Sequence, residues 1–578
     1  MRAVIWRWGH GLIAMSLVFG AAAAAPAAAP IEIRADLGLG GWVVPGRFVP
    51  LRVVVSASTE VRGLLEAVVP AAGHGTLTYT HALRVAPHGR QEIVFHVVLT
   101  DPRRPLVLRI TSGGSEIARS TLPVGVSRVA DGIVAALTRE AAGLEFLAAA
   151  EGKRRAAYLT EAALPARWQA YDAVDLVVIH DLDARAVLPA QQEALVGWVA
   201  QGGRLLVIAH EALVIPPWLR PLLPADPTGS AARLPELPVP LARLVPDAGV
   251  EVIGDGALPL AVRGRFGRGL VEIWAFDPFS PAGRSWSGRI RQWQALLAAP
   301  RPESVATPAL ADELPQTRPL PGTTQVALAL LSIAYIVVLR LVLRRWGASR
   351  GGWILVTAVA VVFASALYGF ASGARTAARS IAQVSVIEVL PETQRARVTT
   401  YVSLLTPYGG SVTAYLSPDA AARPLGGGVL LVDESARAVT GSARGGQSAL
   451  EVTEIISLDL RAEAVDASGT LQLVVTSAGP LPVDALLYRR RQIYPLGPGV
   501  LGARTVLDAA RWAAVERPGI LGTDLAARVG ESLLARLAGL PDEFWLLGRF
   551  PKGRAAMRLS GGQAGLFAQM LVAPVRLR

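Results

Sequence analysis

YDAVDLVVIHDLDARAVLPAQQEALVGWVAQGGRLLVIA, residues 171–209, reads as a strand, a helix and a second strand in immediate succession. VDLVVIHDL (174–182) is an apolar run of strand length. LPAQQEALVGWVAQGG (188–203) sets Leu188, Leu195, Val196, Trp198 and Val199 at helical spacing. Pro189 stands at its entry and Gly202-Gly203 at its exit, as helix termini demand. RLLVIAHEAL follows at once as a buried strand. A helix between two such strands returns the chain to the edge it left, so the strands pair in parallel. Working outward, RAAYLT (155–160) and GLVEIWAFDPFSP (269–281) add strands, and SGRIRQWQALLA (287–298) adds a helix. Residues 126–300 therefore read as an α/β three-layer domain, and the Pro-rich stretch 215–247 as a surface excursion from it.

The stretch Gln191-x-x-Ala194-Leu195-x-x-Trp198-Val199-x-x-Gly202-Gly203-Arg204-Leu205, following an Asp-led apolar run, resembles the core of class I glutamine-amidotransferase-like domains. The later GRGLVEIWAFDPFSPAGRSW (267–286) resembles their closing strand. The likeness is nearest to membrane-anchored bacterial envelope proteins, including auxiliary proteins of gliding-motility-type ABC transporters. It implies a flavodoxin/amidotransferase-like three-layer fold. Enzymes of that class attack with a cysteine at a strand-to-helix elbow, assisted by a histidine. This chain has no cysteine. No Gly-x-Ser-x-Gly elbow replaces it. Glutamine hydrolysis by that route is excluded, and a non-catalytic domain is expected.

In open α/β sheets, ligands collect at the carboxyl ends of the strands. Those ends carry His180, Asp181 and Asp183, then His210 and Glu211, then Asp277. Two imidazoles and several carboxylates at one edge suit a divalent metal or an acid–base pair. The alternative is that Asp181 and Asp277 cap turns while the histidines line a vestigial crevice. The expectation adopted is no catalytic residue, cofactor or metal, with His180, Asp181, His210, Glu211 and Asp277 as the residues to watch. His74, His81, His88 and His96 cluster in sequence but lack metal-ligand spacing.

The ends and spans place the chain. Residues 1–29 read as a signal peptide, with Arg2 and Arg7 before an apolar stretch that ends in alanines. Residues 323–344 and 353–373 read as transmembrane helices, each long enough for a hydrocarbon core of ~30 Å. The loop 345–352 between them is expected in the cytoplasm, because Arg344, Arg345 and Arg350 mark it as the inner side. Both large regions then lie outside. Residues 31–125 read as a β-sandwich, from short alternating strands between Gly and Pro turns. Residues 301–322 read as a Pro-rich extended tether. Residues 380–578 read as a β-sandwich-like domain with a helical insertion over 504–540.

Composition agrees with this multidomain picture. The 578 residues are 52% hydrophobic and only 18% charged, with mean hydropathy +0.40. The net charge of +12 is nearly all arginine, scattered rather than set on one basic helix. Nucleic acid is thus not an expected partner. The expected partners are the bilayer and other envelope proteins. The expected function is a membrane-anchored extracytoplasmic binding or scaffold protein of the cell envelope. It would be auxiliary to a transport or envelope-assembly system in the cytoplasmic (inner) membrane. The alternative is a hydrolase using the crevice histidines and aspartates.

Overall fold

The computed structural model describes residues 31–577, apart from intervals of six residues or fewer and the stretches 229–239, 315–321, 497–503, 509–524 and 551–557. The expected signal peptide lies outside the described residues. Several sheets dominate the chain, accompanied by two long apolar helices.

The first seven strands, Ile31–Leu37 to Ser115–Leu122, alternate apolar with polar residues and bury one face. Ile31–Leu37, Phe48–Ala57 and Gly89–Val98 form an antiparallel sheet. Thr76–Val85, Val61–Pro70, Leu106–Ser112 and Ser115–Leu122 form part of a second. Leu51, Val53 and Phe95 of the first are fully buried in the same core as Leu65, Ala67 and Leu108 of the second.

The second sheet does not end with this region. Val429–Asp433 pairs in parallel with Thr76–Val85, setting Leu430 opposite Leu77 and Asp433 opposite Thr80. Ala438–Ser442, Ser411–Tyr415 and Arg558–Leu559 extend it to eight strands. The two β-rich regions expected as separate units thus share one sheet.

Between them in sequence lies a seven-stranded mixed sheet. Its parallel part runs Gly269–Trp274, Arg204–Ile208, Val174–Ile179, Gly132–Leu137, Arg154–Leu159 across the sheet. Leu258–Phe266 and Glu251–Asp255 continue it antiparallel. The helix Pro189–Ala200 joins the two central strands, as the opening stretch of sequence predicts. Arg204–Ile208 is buried along its whole length, as a strand covered on both faces must be.

Two helices follow, Gly322–Trp346 and Arg350–Thr376. They pack against one another, with Tyr335 and Phe363 at 5.3 Å between ring centroids. Both run past the expected limits, leaving a short turn in which the Gly352 amide donates to the Ser349 hydroxyl. Leu330, Ile336 and Leu341 are about 60% exposed. An apolar surface of this kind is stable in lipid, not water.

After the hairpin, Ser380–Leu390, Arg395–Leu405 and Gln447–Ser457 form an antiparallel ladder. The last strand, Leu566–Leu577, lies parallel to Ser380–Leu390. Two expectations are corrected here. The stretch 504–540 is not one helical insertion. Arg504–Asp508 pairs with Thr470–Ser477, and only Leu525–Leu537 is described as helical. Nor is 304–314, the described part of the expected 301–322 tether ahead of the first apolar helix, a free linker. Val305, Leu310 and Leu314 are buried in the same core as Val384, Val529 and Leu533, since each finds an apolar neighbour that an extended linker would forgo.

Candidate functional site

Strand Val174–Ile179 delivers His180 and Asp181 to the carboxyl edge of the parallel sheet. Both amides donate to the Leu137 carbonyl, at 3.0 and 3.1 Å, which fixes their position over the neighbouring strand end. The His180 side chain is only 11% exposed. Its Nδ1 lies 3.0 Å from Asp181 Oδ2, and 3.3 Å from the Thr138 hydroxyl. Its Nε2 lies 3.1 Å from Asp277 Oδ1. That second contact has ion-pair distance without hydrogen-bond alignment, so charge attraction carries it.

Asp277 reaches the site from beyond strand Gly269–Trp274. The Phe279 amide donates to its Oδ1 at 2.8 Å, and the Ser280 hydroxyl donates to its carbonyl at 2.9 Å. This is an Asx turn leading into the N-cap of the short helix Pro281–Ser285. His210 arrives from the end of Arg204–Ile208. Its Nε2 donates to the His180 carbonyl at 2.7 Å and stands 3.8 Å from Asp181 Oδ1. The two imidazole centroids are 4.9 Å apart, and Phe279 lies at the same distance from His180.

Burial alone would lower the His180 pKa, but Asp277 and then Asp181 outweigh it and hold it above the ordinary 6.5. Burial would likewise raise Asp277. The facing His180 outweighs it and holds the carboxyl below its ordinary 3.8. The arrangement favours an imidazolium with a carboxylate at each ring nitrogen. An imidazolium offers no lone pair to a metal or to a proton. Among the described residues, no group of three or more His, Asp or Glu side chains is arranged to hold a metal ion.

Four sequence candidates therefore meet: His180, Asp181, His210 and Asp277. Asp183 does not join them. It caps a turn, its carboxylate accepting from the Arg185 amide at 3.0 Å. Glu211 lies outside the described residues, as does His74. His96 is buried, and burial pushes its pKa down to about 3. Sequence reasoning missed Thr138 and Phe279. The apolar run GIVAAL before Thr138 was the available signal for a strand end there.

Two clefts lie away from this cluster, where the α/β unit meets the C-terminal sheet. One of about 630 Å³ is lined by Trp168, Gln169, Glu193 and Arg395 among others. Another of about 360 Å³ adjoins it at Trp168. His180 lines neither.

One family model matches the chain. It is described as a domain of unknown function, DUF8726, and spans residues 30–125, the first seven strands. No curated protein matches. Among solved structures, the exo-beta-1,4-mannosidase Op5Man5 from Opitutaceae bacterium strain TAV5 is similar at 18% identity and a TM-score of 0.23. That likeness covers 30% of this chain and 37% of the mannosidase. A Paenibacillus sp. cycloisomaltooligosaccharide glucanotransferase is similar at 8% identity and a TM-score of 0.16, over 74% of this chain and 72% of the other. At such scores neither likeness bears on fold or chemistry.

Proposed function

We propose that the chain is a membrane-anchored extracytoplasmic binding and scaffold protein of the cell envelope, auxiliary to a transport or envelope-assembly system. On this reading its α/β unit keeps an amidotransferase-like, flavodoxin-like layout without the nucleophile. The observation that carries the reading is the shared eight-stranded sheet. Strands from before and after the helical hairpin hydrogen-bond to one another, which supports a topology with both large regions on one side of a membrane and the hairpin across it. The turn at the far end of the hairpin follows Arg344 and Arg345, which the positive-inside rule assigns to the cytoplasm. The sheets then face outward from the inner membrane.

The charges of the His180 cluster are satisfied by one another, which supports a structural role for the cluster over a catalytic one. A hydrolase remains the second reading, favoured by the convergence of His180, His210, Asp181 and Asp277 at one strand edge.

Two measurements test the proposal. Alkaline phosphatase fused after Arg578 is expected to be active in cells, and the same enzyme inserted at Ala348 inactive. The reverse pattern rejects the outward placement. Chromosomal replacement by a His180→Ala/His210→Ala double variant separates scaffold from hydrolase. Wild-type envelope integrity at normal protein abundance fits a scaffold. A deletion-like phenotype at normal abundance fits the hydrolase.

A further inference from the structure

We propose that the cleft of about 360 Å³ between the end of helix Pro189–Ala200 and the C-terminal sheet binds a small oxyanion, a phosphate or carboxylate group, through Arg397. In the ladder of Ser380–Leu390 with Arg395–Leu405, Arg397 stands directly opposite Glu388. Residues so paired share a face, and an acid opposite a base is the usual ion pair. Here the acid is spent elsewhere. Glu388 is 3% exposed and takes Arg268 at 2.9 Å. It also accepts from the Ser304 hydroxyl at 3.0 Å, from the Ala306 amide at 3.1 Å and from the Val305 amide.

The Arg397 side chain is left with attraction at longer range and no hydrogen bond or ion pair among the described residues. Its Nε is buried without an acceptor. Trp168 also lines this cleft, and its indole Nε1 is buried without an acceptor. A buried donor that lacks a partner is costly. Two residues that line one cleft thus each carry an unmet donor, which favours an acceptor-rich guest.

The rest of the lining has the right sign. Among the described residues, Arg47 and Arg536 join Arg397 there, against one carboxylate, Asp172. That carboxylate is already held by Arg423 at 2.7 Å, the Phe48 amide at 3.0 Å and Arg47 at 3.2 Å. It has little charge left with which to repel an anion. The volume admits a group of sugar-phosphate size. The wall that includes Ser304 to Pro308 belongs to the segment leading into the first apolar helix, so a lipid headgroup and a soluble anion can both supply the oxyanion.

The test uses the full chain in phosphatidylcholine nanodiscs, titrated by calorimetry with inorganic phosphate and with glucuronate. A parallel arm compares protein stability in nanodiscs with and without phosphatidylglycerol. Saturable binding of one anion per chain by calorimetry, or a stability gain that saturates with phosphatidylglycerol content, is expected, and the responding arm identifies the source. Arg397→Gln is expected to weaken it about tenfold or more, the loss typical of a charged hydrogen bond. Arg397→Lys keeps the charge and guards against a folding defect, and it should bind between the two. Trp168→Phe, which removes only the indole donor, should weaken binding by about threefold or more. Absence of saturable binding in every arm overturns the proposal. So does binding that neither Arg397 variant changes.

Discussion

At the scale of single residues, His180 is held in place by its charge. A neutral imidazole could satisfy only one of its two carboxylate neighbours as a donor, whereas the imidazolium satisfies Asp181 and attracts Asp277 together. Because the folded state raises the His180 pKa, this contribution is fully present below the ordinary 6.5 and fades as pH climbs through the folded value. Because the folded state lowers Asp277, its contribution is present above 3.8 and fades as pH falls through the folded value. The clamp is therefore strongest between those two ordinary values. Replacing His180 with Asn should cost about 2 kcal/mol at pH 5, in line with charged hydrogen bonds, and less at pH 9. Denaturant midpoints of the two proteins at pH 5, 7 and 9 would check it. A difference that grows with pH would contradict the charge assignment. The four meeting residues were legible in sequence, because each follows a strand of a parallel sheet. Which of the nitrogens would be occupied was not, since that depends on Asp277, nearly a hundred residues away in the chain.

At the scale of elements, the helix Pro189–Ala200 and its exit show why local pattern was a good guide here. Apolar spacing, an entry proline and an exit glycine pair all act within a few residues of one another, so the sequence carries them whole. Gly202 adopts φ 120°, which side chains avoid. Gly203 serves a different need. A methyl group there would lie 2.5 Å from the indole ring carbons of Trp198, which is itself packed on Tyr171 at 5.6 Å. Gly203→Ala is thus expected to destabilise the α/β unit by about 1–3 kcal/mol through overpacking. The check is the near-ultraviolet circular dichroism of the Trp198–Tyr171 pair together with the unfolding midpoint. An unchanged midpoint would mean that the ring moves aside freely. The expectations that failed at this scale were of another kind. Proline content made 301–322 look extended, yet Val305, Leu310 and Leu314 found a core formed by strands and a helix far along the chain. Alanine content made 504–540 look helical throughout, where at 504–508 pairing with Thr470–Ser477 prevailed. Tertiary context overrides propensity in both.

At the scale of the whole molecule, two carboxylates, Glu388 buried and Asp172 half-buried, tie together parts that the sequence keeps apart. Asp172 of the α/β unit holds Phe48 and Arg47 from the first β region and Arg423 from the last. Glu388 of the C-terminal sheet holds Arg268 of the α/β unit and the segment 304–306 on the way to the apolar helices. Neither role has a local signature, because each partner lies tens to hundreds of residues distant. Burial would raise the Glu388 pKa. Arg268 and Arg397, with the surrounding donors, outweigh burial and lower it. Its contribution is therefore present above the ordinary 4.5 and is lost as pH falls through the folded value. Removing one partner of a buried pair strands the other charge, at about 3–5 kcal/mol. Glu388→Ala should accordingly loosen the 304–314 segment, raising its amide hydrogen exchange by about a hundredfold or more at pH 7. Strand Phe48–Ala57 should be left protected. Asp172→Ala should do the converse, exposing the edge of Phe48–Ala57 while 304–314 stays slow. If either variant instead loosened both segments equally, the two ties would belong to one cooperative unit, and the shared sheet alone would be what joins the three regions.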